Sequence, residues 1–96
     1  MPSGGCRTSG VLTADAIVFD GSCRLVSIHA CEVGTGAGAN AEIKVYDGTD
    51  NTGKEIARII LSAKQTVEFD MHSVLCDNGI FFEEASGEVA CSIEFR

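Results

Sequence analysis

Apolar and polar residues alternate with a period of two along most of the chain, and this alternation predicts β-strands. In the cleanest run, Ile43 and Val45 are predicted to face the interior and Tyr46 to face outward. Residues 23–33 are partly apolar at both sets of alternate positions, which is typical of a strand covered on both faces. The pattern predicts strands within residues 11–13, 16–19, 23–33, 41–47, 55–61, 65–71, 73–76, 80–84 and 88–95.

Turn-forming residues separate these runs. The pair Asn78-Gly79 is favoured in a two-residue hairpin loop, because both positions of that loop need a positive φ, so we predict a hairpin there. The segment 53–64 also fits helical spacing, since Ile56 and Ile59 lie three positions apart. Its β-branched content and its strand neighbours favour a strand instead.

These elements predict an all-β fold, an antiparallel β-sandwich of seven to eight short strands. Jelly-roll and immunoglobulin-like topologies both stay open, although the absence of tryptophan disfavours a true immunoglobulin domain. The 96 residues suffice for one domain, which we place at residues 11–96. Residues 1–10 are rich in glycine and are expected to form a flexible N-terminal arm or to pair with a sheet edge.

Composition narrows the function classes. Acidic residues outnumber basic ones 14 to 7, and the net charge of −7 disfavours binding to a phosphate backbone, so we expect no nucleic-acid partner. No stretch approaches the ~20 apolar residues of a membrane-spanning helix, so we expect no membrane insertion. The first residues contain no apolar signal-peptide region, and we expect synthesis in a cytoplasm.

The cysteines suggest packing rather than chemistry. No two of them are spaced as C-x-x-C, and His29 and His72 lie too far apart for an H-x₃₋₅-H pair, so we predict no metal site and no cofactor. Free cysteine is among the most buried residue types, and we expect reduced thiols that act as small apolar side chains. The five cysteines are Cys6, Cys23, Cys31, Cys76 and Cys91.

Two further features have some of the residues that a binding or catalytic site needs. The loop 47–53 offers Asp47 and Asp50 to a cation such as calcium, but it lacks the ligand order of an EF-hand, and turns use the same residues. His29 shares a predicted strand face with Ser27 and Cys31, yet no orienting carboxylate or oxyanion donor is identifiable for a Cys–His nucleophile. We therefore predict no catalytic residue and no enzyme activity.

Residues 49–96 hold nine of the 14 acidic residues, and four glutamates crowd the last predicted hairpin. Such a cluster is typical of a solvated face, and it would also suit docking to a basic partner. The four are Glu83, Glu84, Glu88 and Glu94.

A family resemblance points further, across roughly residues 10–96. The segments that carry it are, in order, Val45-Tyr46-Asp47-Gly48, Thr52-Gly53-Lys54-Glu55-Ile56, Val67-Glu68-Phe69, Leu75, Asn78-Gly79-Ile80-Phe81 and Ala90-Cys91-Ser92-Ile93-Glu94-Phe95. In these segments the chain resembles the small β-sandwich structural proteins of tailed bacteriophage virions, particularly capsid decoration (cement) or head-appendage proteins.

The resemblance implies a sandwich or jelly-roll fold, assembly as a homotrimer or another small symmetric oligomer, and no catalytic residues. It also implies contact with the major capsid protein or neighbouring virion proteins, in a virion made in the host cytoplasm. We therefore expect a decoration protein that binds and stabilises the capsid shell. The alternatives are a tail or head-appendage (knob or fibre) subunit and a cellular β-sandwich module that binds carbohydrate or protein.

Overall fold

The computed structural model describes residues 6–36 and 39–96, and within them it contains eight β-strands and no helix. All strand pairs are antiparallel, and they form two four-stranded sheets. The predicted all-β sandwich is therefore confirmed. The strands are β1 (Arg7–Thr8), β2 (Ala16–Asp20), β3 (Cys23–Glu32), β4 (Ala41–Asp47), β5 (Lys54–Leu61), β6 (Thr66–Cys76), β7 (Gly79–Ser86) and β8 (Val89–Phe95).

The order of the strands decides between the two open topologies. Sheet A has the order β1-β8-β3-β6, and sheet B has the order β2-β7-β4-β5. Successive strands cross from one sheet to the other everywhere except between β4 and β5. Two four-stranded sheets connected in this way form a jelly roll, the double Greek key, and not an immunoglobulin fold.

The core lies between the two sheets. Val89, Cys91, Ile93 and Phe95 alternate along β8 and are buried, as the period-two pattern predicts. Phe82 in β7 is the largest fully buried side chain and packs in the same cluster. Burial of one such side chain stabilises the fold by roughly 1.5–3 kcal/mol.

Strand β3 shows why both of its faces look apolar in the sequence. Its pairing with both neighbours shifts between Leu25 and Ser27: Val26 is an extra residue relative to β8, whereas residues 71–73 of β6 lie opposite it on the other side. Leu25 before the bulge and Ile28 after it both face the core, although they lie three positions apart. The strand is therefore covered by the opposite sheet on one face, and the prediction of cover on both faces is wrong.

Two parts of the predicted strand pattern differ from the structure, and one open choice is decided. Residues 11–13 form no strand, since Leu12 makes only an isolated bridge to Cys91, and the first strand lies earlier, at β1. The predicted strands 65–71 and 73–76 are one strand, β6, interrupted where His72 and Ser73 have positive φ values of 56° and 58°. The segment 53–64 is the strand β5 and its turn, as predicted, and not a helix.

The turn before β7 differs from the predicted hairpin loop. Gly79 has a positive φ of 143°, but Asn78 does not, and the strands on either side belong to different sheets. The carboxylate of Asp47 instead accepts hydrogen bonds from the backbone N–H groups of Asp77 (3.1 Å) and Asn78 (2.8 Å). A side chain from another loop thus holds this turn.

Candidate functional site

The most distinctive surface is the edge of the sandwich at which β5 and β6 end the two sheets. We call β5, β6 and the turn 62–65 between them the open edge, because no described strand pairs with the outer side of either. The two strands are eight and eleven residues long. Of the seven large apolar side chains that are exposed among the described residues, four lie on these strands, namely Ile60, Phe69, Val74 and Leu75.

A groove of about 210 Å³ runs between β5 and β6. Phe69 and Met71 line it from β6, and Phe69 remains 42% exposed even though it points toward the interior of the sandwich. Ile56, Ala57 and Ile59 line it from β5. The Arg58 side chain also lines the groove, and its other lining residues are apolar.

Charged residues lie beside this groove on the outer face of sheet B. Lys44 in β4 is paired in register with Glu83 in β7 and with Arg58 in β5, so a row across the sheet ends in a cation at the open edge. Arg58 Nε and Nη2 donate to the Glu55 carboxylate at 2.8 and 2.9 Å. These hydrogen bonds lower the pKa of Glu55 and raise the pKa of Arg58.

A polar cluster occupies the outer face of sheet A. His29 Nδ1 lies 2.7 Å from Glu94 Oε1, and its Nε2 lies 3.3 Å from Glu68 Oε2. The hydroxyl groups of Thr8 and Ser27 each donate to the Glu94 carboxylate at 2.9 Å. Partial burial raises the pKa of Glu94, but the hydrogen bonds and the nearby His29 outweigh it, so the pKa is lowered overall.

This cluster does not form a Cys–His nucleophile. Both ring nitrogens of His29 face carboxylates, and the Cys31 thiol lies instead 3.5 Å from the backbone carbonyl of Glu32. Sequence reasoning placed His29 near Ser27 and Cys31 but missed Glu68 and Glu94. The pairing of β3 with β6 and β8 brings these two glutamates to His29, and such pairing is not visible in local sequence.

The buried cysteines are poor nucleophiles. Cys23, Cys76 and Cys91 all face the core, whereas Cys31 is half-buried on the outer face of sheet A and Cys6 is exposed. Burial raises the pKa of Cys91 to about 12, with a smaller effect of the Glu94 charge. Burial and the neighbouring Cys23 and Asp47 raise the pKa of Cys76 to about 11. These thiols stay protonated near neutral pH and serve packing.

Both carboxylates of the acidic loop 47–53 accept hydrogen bonds from backbone N–H groups of turns. Asp47 caps the turn before β7, and Asp50 Oδ1 accepts the backbone N–H of Thr52 at 2.9 Å. The hydroxyl of Thr52 also donates to Asp50, and these hydrogen bonds lower its pKa. Among the residues that the structure describes, no three His, Cys, Asp or Glu side chains are grouped as a metal would need.

The four C-terminal glutamates do not form one acidic surface. Strands β7 and β8 belong to opposite sheets, so the predicted last hairpin is a crossing between sheets. Glu83 accepts hydrogen bonds from Tyr46 Oη (2.9 Å) and Asn51 Nδ2 (3.2 Å) beside sheet B, whereas Glu94 lies on sheet A. Glu84 accepts the backbone N–H of Val89 at 3.2 Å. The prediction of a single crowded acidic patch is wrong.

The only tyrosine is covered. Tyr46 is 7% exposed, and its ring packs against Phe81 with a centroid separation of 6.3 Å. It was predicted to face outward, and its side chain is on the outer side of sheet B, but these contacts leave no free ring face on which a sugar could stack.

No protein family, curated protein or solved structure matches this chain. Within residues 6–36 and 39–96 there is also no helix that could cross a membrane.

Proposed function

We propose that this chain is a non-enzymatic structural protein of a tailed bacteriophage virion, which decorates the outside of the capsid and stabilises the shell. The observation that carries the proposal is the open edge, where two long strands leave an apolar groove and four large apolar side chains uncovered. Exposed apolar surface of this kind marks sites of protein–protein contact. Jelly rolls are frequent in viral capsid proteins, which supports the proposal by analogy of fold.

The size of the chain gives the same proposal an energetic basis. In a domain of 96 residues the gain from apolar burial and the loss of chain entropy nearly cancel, so additional burial between copies stabilises each of them. We propose that the chain assembles as a homotrimer and contacts the major capsid protein. On a repeating shell, many weak contacts made together give durable binding, so no single contact has to be strong.

Co-sedimentation tests the function directly. The purified chain is mixed with shells assembled from the major capsid protein of the virus that encodes it, and the bound amount is measured against the added amount. Binding is expected to saturate at a fixed ratio to capsid subunits and to raise the temperature at which the shells disassemble. Binding that does not saturate, or saturation without any stabilisation of the shell, would contradict a decorating role.

A further inference from the structure

The charges at the open edge indicate how copies of the chain meet. We propose that β5 of one copy lies beside β6 of the next copy, around a rotation axis parallel to the strands, with Arg58 facing the acidic pair Glu68 and Asp70 of its neighbour. This inference rests on the self-assembly in the proposed function and names the partner surface, a second copy of this chain.

Each sheet ends at the open edge with a charge of different sign. In sheet B the row Glu83, Lys44 and Arg58 ends with a cation on β5. In sheet A the row Ser92, His29 and Glu68 ends with an anion on β6.

Asp70 adds a second negative charge on the same face of β6, and the Glu68 and Asp70 side chains are both 73% exposed. The Arg58 side chain is 54% exposed, and its Nε lies 2.8 Å from the Glu55 carboxylate and 4.0 Å from that of Glu42. A neighbouring β6 would place further carboxylates beside it, at the position where the sheet B row stops.

The positions of Arg58 and Asp70 along the strand direction fit this pairing. The same groove is lined by Arg58 and Ile59 on one side and by Phe69 and Met71 on the other, so Arg58 and Asp70 lie at nearly the same level. Rotation about an axis parallel to the strands leaves that level unchanged. It therefore brings Arg58 of one copy to the acidic pair of the next, whether the axis is twofold or threefold.

The alternative arrangement is electrostatically unfavourable. A twofold axis perpendicular to the sheets would place β5 against β5 and β6 against β6, with Arg58 beside Arg58 and Glu68 beside Glu68. Like charges directly opposite each other on neighbouring strands are destabilising. The charge pattern thus selects the first arrangement, and the grooves of adjacent copies then cover the exposed ring of Phe69.

Light scattering after size-exclusion chromatography tests the pairing with charge variants. The unmodified chain is expected to form a small closed oligomer, and R58E and the double variant E68K/D70K are each expected to weaken it at least about tenfold in dissociation constant. The triple variant R58E/E68K/D70K restores opposite charges across the contact and is expected to restore the oligomer.

R7E is the matched control, since Arg7 is exposed on β1 at the other edge of the sandwich and its reversal should leave the oligomer intact.

Mixing the two weakened variants distinguishes the possible axes. In a pair of unlike copies, R58E and E68K/D70K present opposite charges at both contacts, so a twofold assembly reforms on mixing. In a threefold ring of mixed copies at least one contact keeps like charges, so only the triple variant restores it. Far-UV circular dichroism of each variant verifies that the sheets are intact before its mass is interpreted.

The outcomes separate this inference from the proposed function. A monomeric unmodified chain, an unchanged R58E oligomer, or a folded triple variant that stays monomeric would overturn the β5–β6 contact. A monomer that still saturates capsid shells would overturn the contact and leave the decorating role standing. An oligomer that behaves as expected but ignores shells would support the contact and contradict the function.

Discussion

The two edges of the sandwich differ in how the gap between the sheets is filled. At the edge formed by β1 and β2, the segment after β1 continues along β8 as the end of sheet A: Leu12 exchanges two backbone hydrogen bonds with Cys91, at 2.6 and 2.9 Å, and Ser9 donates its backbone N–H to the Ile93 carbonyl at 2.8 Å. Phe19 packs between this segment and the core, with the Arg7 guanidinium 5.5 Å from its ring centre and the Phe95 ring 5.4 Å away. We call this side the closed edge.

The open edge has no such cover among the described residues. Its strands are longer than β1 and β2, and an apolar groove is left between them. Long uncovered edge strands favour pairing with other chains, and natural proteins usually blunt them. The contrast shows that the Phe19 side chain fills the gap between the sheets at the closed edge, whereas the corresponding gap at the open edge stays accessible.

The largest expected effect concerns the closed edge, at the end of the β2–β7 pair. Gly79 has a φ of 143°, and a Cβ at this position would lie 2.4 Å from the carbonyl oxygen of Phe19 and 3.0 Å from that of Gly48. Since both contacts are with backbone, G79A has to displace β2, and we expect a loss of more than about 4 kcal/mol in unfolding free energy or failure to fold. Urea unfolding followed by far-UV circular dichroism measures it.

G10A is the matched control for this substitution. Gly10 also has a positive φ, of 70°, but a Cβ there would meet nothing within 4 Å. The expected cost is only that of a left-handed backbone, about 1 kcal/mol. Equal losses in the two variants would mean that backbone conformation, and not the close approach of β2 to Gly79, decides the stability of the closed edge.

The next prediction separates stability from assembly at the open edge. Leu61 is fully buried, whereas its neighbour Ile60 is 70% exposed on the other face of β5. L61A should lower the unfolding free energy by about 3 kcal/mol, because it leaves a cavity in the core. I60A should lower it by less than about 1 kcal/mol.

Both substitutions are made on the R58E background, so that self-association does not contribute to the measured stability. A loss for I60A as large as that for L61A would show that the outer face of β5 is covered within a single copy. The open edge would then not be open.

Much of this fold was predictable because its signals are local. The alternation in β4 and β8 identifies their inward faces without any knowledge of pairing. The strand order was not predictable in this way, because jelly-roll and immunoglobulin-like topologies share the same local pattern. The bulge at Val26 was not predictable, since one extra residue relative to β8 exchanges the two faces of β3 without changing its composition. The turn at Asn78 was mispredicted because its partner, Asp47, lies 31 positions away.

The candidate site was less predictable than the fold. Phe69 and Met71 have the pattern of core residues, and the sequence does not reveal that their strand ends a sheet. The identity of an edge strand depends on pairings between distant segments, and so does the placement of Arg58 opposite Phe69 and Met71 in one groove. For the same reason only part of the His29 cluster was predictable. The sequence predicts the strand that contains His29, but it does not predict which strands pair with it.

The smallest of the expected effects concerns the Glu32 side chain, which connects β3 to the turn 62–65 at the end of the open edge. Glu32 is buried, and its carboxylate accepts the backbone N–H of Lys64 in the turn 62–65 at 3.0 Å and the backbone N–H of Gly34 at 2.8 Å. The hydrogen bond from Lys64, supported by that from Gly34, lowers the pKa of Glu32 despite its burial. E32Q replaces one carboxylate oxygen with an NH₂ group, which cannot accept a hydrogen bond from a backbone N–H. It also removes the negative charge. We therefore expect Tm to fall by a few degrees at neutral pH.

The pH dependence of that difference identifies the charge as its cause. A carboxyl group whose pKa is lowered by folding stabilises the fold at pH values above its unfolded pKa of about 4.3, and this stabilisation is lost as the pH falls through the lower folded value. The gap in Tm between the unmodified chain and E32Q should therefore narrow between pH ~5 and pH ~3. Glu94, Asp50 and Glu55 also have lowered pKa values, but they are present in both proteins and cancel in the comparison.

E88Q, the same chemical change at an exposed glutamate, should leave the dependence of Tm on pH unchanged. A gap that stays constant with pH would mean that Glu32 holds the open edge by shape, and that its charge does not contribute.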